Sequence, residues 1–211
     1  SIIPWEKIKQ TKDQVIYQIK SKELDQGFPG NLLVTCTYKL KDKFLIIKYE
    51  YKSDNFTHVN LTNHSYWNLS KIKKNKIFDH DLRINSKKYL EINNSLIPTG
   101  RFKNVKKNIY DFTNFENLKE KLNFFMKYKK KNKISGFDTT YVIRKNSKNY
   151  VGSLKNDRSN IQIDFFSNLP GVQLYTAQGL KYKKKLKPYQ GICLETQYYP
   201  DTPNKKKFPS T

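Results

Sequence analysis

Leu32-Leu-Val-Thr-Cys-Thr-Tyr-Lys-Leu40, then Lys41-Asp42, then Lys43-Phe-Leu-Ile-Ile-Lys-Tyr-Glu-Tyr51, is the stretch that sets the fold class. Both runs alternate or are rich in β-branched and aromatic residues, which fit a pleated surface; the Lys-Asp step between them predicts an antiparallel pair. Gly27-Phe-Pro-Gly30 just upstream is turn chemistry. Downstream, Leu82–Leu90, Tyr141–Arg144, Tyr150–Leu154, Ile161–Phe166, Val172–Thr176 and Ile192–Gln197 read as further short strands. Asn114–Phe125 is the best helix, with Phe115, Leu118, Leu122 and Phe125 at helical spacing; Lys127–Lys133 after it reads as a mobile loop. Many short strands with one or two short helices predict an all-β fold, a large antiparallel β-sandwich or a related sheet. Without a repeat or a boundary signal, residues 1–211 are expected to form one domain, long enough to bury a core.

Charge narrows the partners. Lys and Arg number 41 against 18 Asp and Glu, a net charge of +23, with a mean hydropathy of −0.82. A nucleic-acid surface is one reading of such an excess. Yet only four of these cations are arginines (Arg83, Arg101, Arg144, Arg158), and arginine is the better reader of bases and phosphates. The lysines fall in scattered runs at 71–76, 127–133, 181–187 and 205–207, so solvated loops account for them and nucleic acid is disfavoured. No apolar run approaches a membrane-spanning length. Cys36 and Cys193 lie far apart and form no metal-ligand pair; free buried thiols in a reducing compartment are expected, with a single long-range disulfide as the alternative. The sequons Asn60-Leu-Thr62 and Asn63-His-Ser65 fall where a ligand is expected to bind, and a glycan there would cover it; the cytoplasm is therefore the expected location.

Chemistry-bearing residues gather in a few islands. Val59-Asn-Leu-Thr-Asn-His-Ser-Tyr-Trp-Asn-Leu69 reads as a strand with Val59 and Leu61 on one face and Asn60, Thr62 and His64 on the other. An amide, a hydroxyl and an imidazole in a row suit a polyhydroxylated ligand, and histidine exchanges protons near neutral pH. A half-exposed strand with ordinary polar residues is the plain alternative. Leu96-Ile-Pro-Thr-Gly100 reads as a turn. Gly136-Phe-Asp138 sets a carboxylate at the mouth of a strand, either as a turn former or as a ligand group. Pro170-Gly-Val-Gln-Leu-Tyr-Thr176 puts Gln173 and Tyr175 on one face, and Cys193-Leu-Glu-Thr-Gln197 puts Glu195 between Cys193 and Gln197. A glutamate in that setting is either a solvated strand residue or a partly desolvated carboxylate with a raised pKa.

Together, in order and spacing, these islands resemble the aldose 1-epimerases, or galactose mutarotases, from about Trp5 to Ser210. Gly27-Phe-Pro-Gly-Asn-Leu32 and Tyr198-Tyr-Pro-Asp201 extend the match. The resemblance implies a β-sandwich of galactose mutarotase type that interconverts the anomers of free hexoses without cofactor or metal. Carried over by position, His64 would be the acid toward the ring oxygen and Glu195 the base toward the C1 hydroxyl. Asp138, Gln173 and Asn63 would bind the sugar. The family pattern also has a second histidine in a Leu-His-Gly-Gly segment, an arginine-containing segment and a last C-terminal strand. These are expected to lie outside this sequence, which leaves the domain incomplete at both ends. Trp67 stands where phenylalanine is usual, Thr139-Thr140 where the family has His-Asn, and Tyr175-Thr-Ala-Gln-Gly179 departs from Thr-Gly-Asn. The competing readings are a sugar-binding relative without turnover, a relative acting on phosphorylated hexoses, and a glycosidase using Asp138 and Glu195. The last leaves the histidine motif without a role.

Overall fold

Strands β1 (Glu6–Gln10), β2 (Gln14–Ser21), β3 (Leu32–Lys41) and β4 (Phe44–Ser53) follow one another as an antiparallel sheet in the order β1-β2-β3-β4. In this computed structural model residues 3–72, 75–127, 135–144, 148–180 and 186–211 are described. The expected pair of runs is β3 and β4, in register from Leu32 opposite Ser53 to Lys41 opposite Phe44. Asp42 takes the left-handed conformation (φ 53°) that turns one strand into the next, which aspartate tolerates better than most residues. These strands belong to the first of two compact units, residues 1–61. Val34 and Cys36 are buried within it, whereas Phe44, Leu45, Ile46 and Tyr51 are exposed. β1 and β2 carry no strong alternation of apolar and polar residues, and the sequence reading missed both.

The second unit, residues 62–211, holds two antiparallel sheets and the helix. It contains β5 (Asp81–Ile84), β6 (Lys88–Ile92), β7 (Pro98–Asn104), β8 (Glu116–Asn117), α1 (Leu118–Lys127), β9 (Asp138–Val142), β10 (Tyr150–Asn156), β11 (Ile161–Phe166), β12 (Gly171–Tyr175) and β13 (Cys193–Gln197). One sheet runs β11-β10-β5-β8 and the other β13-β12-β9-β6-β7. Leu82 and Ile84 of β5, Val151 and Leu154 of β10, Tyr141 of β9, Val172 and Leu174 of β12 and Leu194 of β13 join one core with Leu118, Leu122 and Phe125 of α1. Two sheets and a helix closing on one apolar layer is the sandwich the sequence predicts.

Several elements differ from the sequence reading. The single strand expected over Leu82–Leu90 is two, β5 and β6, in different sheets. Between them Ser86 Oγ donates to Val142 O at 2.5 Å and Asn85 Nδ2 to Tyr150 O at 3.1 Å, so side chains hold the crossover. The helix begins at Leu118 rather than Asn114. Asn117 Oδ1 caps its start by accepting from Lys119 N at 3.0 Å, and the residues just before it pair as β8. The turn expected at 96–100 lies earlier, at Asn93–Leu96, and Pro98 already opens β7. Of the loop expected at 127–133, Lys127 ends α1 and the rest lies outside the described residues.

Candidate active site

The site is built on β9, β12 and β13. Glu195 is opposite Gln173, which is opposite Thr140; Cys193 is opposite Tyr175, which is opposite Asp138. Paired residues on neighbouring strands point to the same face, so all six share one side of the sheet. Leu194, Leu174, Val172 and Tyr141 point the other way into the core, and this alternation fixes the register. On the polar side Thr140 Oγ1 donates to Gln173 Oε1, and Gln173 Nε2 donates to Asp138 Oδ1 at 2.5 Å. The Gln173 amide is thus held at both ends, its orientation fixed before any ligand arrives. Thr140 is a site residue to which the sequence reading gave no role.

His64 reaches this face from outside the sheet. The strand expected over Val59–Leu69 is absent: the segment is irregular, with one β-bridge, from Trp67 to Ile192. Its own polar side chains supply the reason, since asparagine, serine and threonine compete with ladder bonding for the backbone. Asn63 Oδ1 accepts from Ser65 N at 3.2 Å, and Asn68 Oδ1 from Ser70 N at 2.9 Å. Further bonds clamp the segment. Thr62 Oγ1 donates to Thr196 O at 3.0 Å, and Trp67 exchanges two backbone bonds with Ile192 at 2.8 and 2.9 Å. Asn68 Nδ2 donates to Asn75 O and Gln190 O. Gly191 is the close-approach point, where a Cβ would stand 2.8 Å from Tyr66 Cβ.

Held in this way, His64 Nε2 lies 3.6 Å from Glu195 Oε1 and Nδ1 lies 3.4 Å from Cys193 Sγ. The imidazole is 52% exposed and the Glu195 side chain only 10%. Tyr66 and Tyr175 flank the ring, with centroids 5.0 and 6.2 Å away. Burial pushes the Glu195 carboxyl above its ordinary value, and the Asp138 charge adds to this while His64 opposes it. Burial likewise raises Asp138, against the Gln173 hydrogen bond and His64. Cys193, buried beside both carboxylates, is pushed up to about 12 and stays a neutral thiol. The structure therefore gathers His64, Glu195, Asp138 and Gln173 into one cluster. The bond from Ser65 ties Asn63 into its own segment.

A second histidine has a role that the sequence does not reveal. His80 is fully buried; its Nε2 accepts from Leu69 N at 2.8 Å and its Nδ1 lies 2.9 Å from Asp79 Oδ1. The accepting Nε2 places the neutral ring's proton on Nδ1, facing Asp79. Burial lowers the His80 pKa, against the opposing charges of Asp79 and Asp81. His80 thus anchors the end of the segment that carries His64.

One sheet face thus carries a histidine–glutamate pair beside a glutamine–aspartate pair. The comparisons give the family. The family model described as aldose 1-epimerase matches residues 3–211, and the chain belongs to that family. It is 33% identical over 196 residues to the galactose mutarotase of Homo sapiens, spanning 90% of this chain and 55% of that protein. To the aldose 1-epimerase of Escherichia coli (strain K12) it is 29% identical over 213 residues, 97% of this chain and 60% of that one. The crystal structure of a GalM/aldose epimerase homologue from C. elegans superposes with a TM-score of 0.85 at 26% identity, covering 98% of this chain and 62% of that chain. Galactose 1-epimerase from Lactobacillus acidophilus shares the fold, with a TM-score of 0.77 at 21% identity over 95% of this chain and 59% of that one. The chain therefore spans somewhat over half the length of these relatives. Among the described residues no helix is long and apolar enough to cross a membrane.

Proposed function

We propose that this site interconverts the α and β anomers of free aldohexoses such as glucose and galactose, by opening and reclosing the sugar ring. The observation that carries this reading is the 3.6 Å separation of His64 Nε2 and Glu195 Oε1 on a polar sheet face. Opening a hemiacetal requires that one proton leave the C1 hydroxyl and another reach the ring oxygen; reclosure on the other face of C1 reverses both transfers. Glu195, its basicity raised by burial, takes the first proton, and His64 delivers the second. Each such transfer contributes on the order of 10²–10⁴-fold. Asp138 and Gln173, already bonded to each other, accept and donate hydrogen bonds to the sugar hydroxyls. Asn63 borders the same ligand from the His64 segment. These steps need only the side chains named, and the partner is a small neutral sugar. Two free, buried thiols support a reducing compartment such as the cytoplasm.

The test is polarimetry of freshly dissolved α-D-glucose and α-D-galactose with this chain, with its Glu195→Gln variant and with buffer alone. Acceleration that disappears in the variant is the expected result. Folded protein that leaves the spontaneous rate unchanged would overturn the reading and leave a sugar-binding member of the family.

A further inference from the structure

The floor of this site gathers the kinds of ligand that hold a soft divalent cation. His64 offers a ring nitrogen, Cys193 a sulfur and Glu195 a carboxylate oxygen, and one such atom from each lies within 4.8 Å of the other two. Zinc bond lengths of roughly 2.3 Å to sulfur and 2.0 Å to nitrogen, at a tetrahedral angle, put the two ligand atoms about 3.5 Å apart. The observed Sγ–Nδ1 separation is 3.4 Å. Cys193 and Glu195 sit two residues apart on one strand face, and the half-exposed His64 ring closes the third side. In a chain of net charge +23, the charges that act on Cys193 are nevertheless those of Glu195 and Asp138, both negative.

We propose that His64, Cys193 and Glu195 form a binding site for a soft divalent cation of the zinc class, and that the bound cation inhibits the proton-transfer site. Three protein ligands leave the fourth position to water. Coordination converts the Cys193 thiol to a metal-bound thiolate and releases one proton to solvent; no electron moves. The His64 lone pair and the Glu195 oxygen are then occupied by the metal and cannot exchange protons with a sugar. The inhibitory half rests on the function proposed above; the binding half does not.

Cobalt(II) is the probe, because a cobalt–thiolate bond gives a near-ultraviolet charge-transfer band. Titrating the chain with Co²⁺ should produce this band at one equivalent, and Zn²⁺ should bleach it. The band should survive Cys36→Ser and vanish in Cys193→Ser. His64→Ala, a change at a half-exposed ring, should keep the fold and weaken Co²⁺ binding by at least roughly a hundredfold, the upper end of the loss from changing a residue that only supports a metal ligand. A wild-type chain without the band, or a band retained in Cys193→Ser, overturns the site. Polarimetry under saturating Zn²⁺, then with a chelator, reads the second half, and undiminished turnover by the zinc-loaded chain overturns inhibition. Should the chain show no turnover in chelator, the functional reading fails, and the cobalt band alone decides the metal site.

Discussion

Two histidine–carboxylate pairs lie in different regions of the second unit and differ in spacing and in the burial of the ring. His64 and Glu195 stand 3.6 Å apart with the ring half in solvent, at the face of a sheet. His80 and Asp79 stand 2.9 Å apart with the ring fully buried, and the second ring nitrogen is engaged by Leu69 N. The first pair has room between its atoms and a route to solvent, which proton exchange with a ligand requires. The second is closer, and its ring has no exposure to solvent. Under the proposed function, similar residue types serve proton transfer in one place and architecture in the other, and burial of the ring separates the roles.

The largest effect expected from breaking this contrast is on turnover. Glu195→Gln removes the proposed base while keeping shape, and the polarimetric rate should fall on the order of 10²–10⁴-fold with little change in the denaturation midpoint. Next comes the buried pair. His80→Leu leaves the buried Leu69 N without its acceptor, a loss of about 1–3 kcal/mol to be read by urea unfolding.

A smaller effect follows from pH. The His80 pKa is lowered in the fold from its ordinary 6.5, so the unfolded chain binds this proton more readily. The stability His80 contributes is complete above the unfolded value and declines as pH falls below it toward the folded value. Asp79 and Asp81 moderate this decline. Unfolding curves across that acidic window should show the dependence in the wild type, and His80→Asn should flatten it. The smallest effect belongs to an exposed pair in the first unit. Lys48 and Glu50 lie 2.8 Å apart, both more than half exposed, and Lys48→Ala should shift stability by less than about 1 kcal/mol.

Much of this was legible in the sequence where periodicity coincided with burial. The β3–β4 pair, β11 to the residue, and the faces of β12 and β13 follow from alternation, since each has one side in the core or a defined partner. Glu195, Asp138 and Gln173 came together because register and period two place them on one face. His64 was picked from its neighbours, yet for the wrong local reason. The Asn-, Ser- and Thr-rich segment alternates like a strand but satisfies its backbone with its own side chains and with His80. Contacts across the chain carry no local signal, which hid the role of His80, eleven residues beyond Leu69. Thr140 went unassigned for the same reason: its partner Gln173 is 33 residues away. The break between β5 and β6 depends on Ser86 binding a strand 56 residues away, which periodicity cannot reveal.

The most direct test of the division of labour compares His64→Ala with His80→Asn, scoring anomer interconversion by polarimetry and stability by the urea midpoint on the same samples. The predicted result is a His64 variant with wild-type midpoint and no turnover, and a His80 variant with a lowered midpoint that still turns over while folded. A His64 variant that keeps its rate, or a His80 variant that keeps its midpoint, would contradict the account.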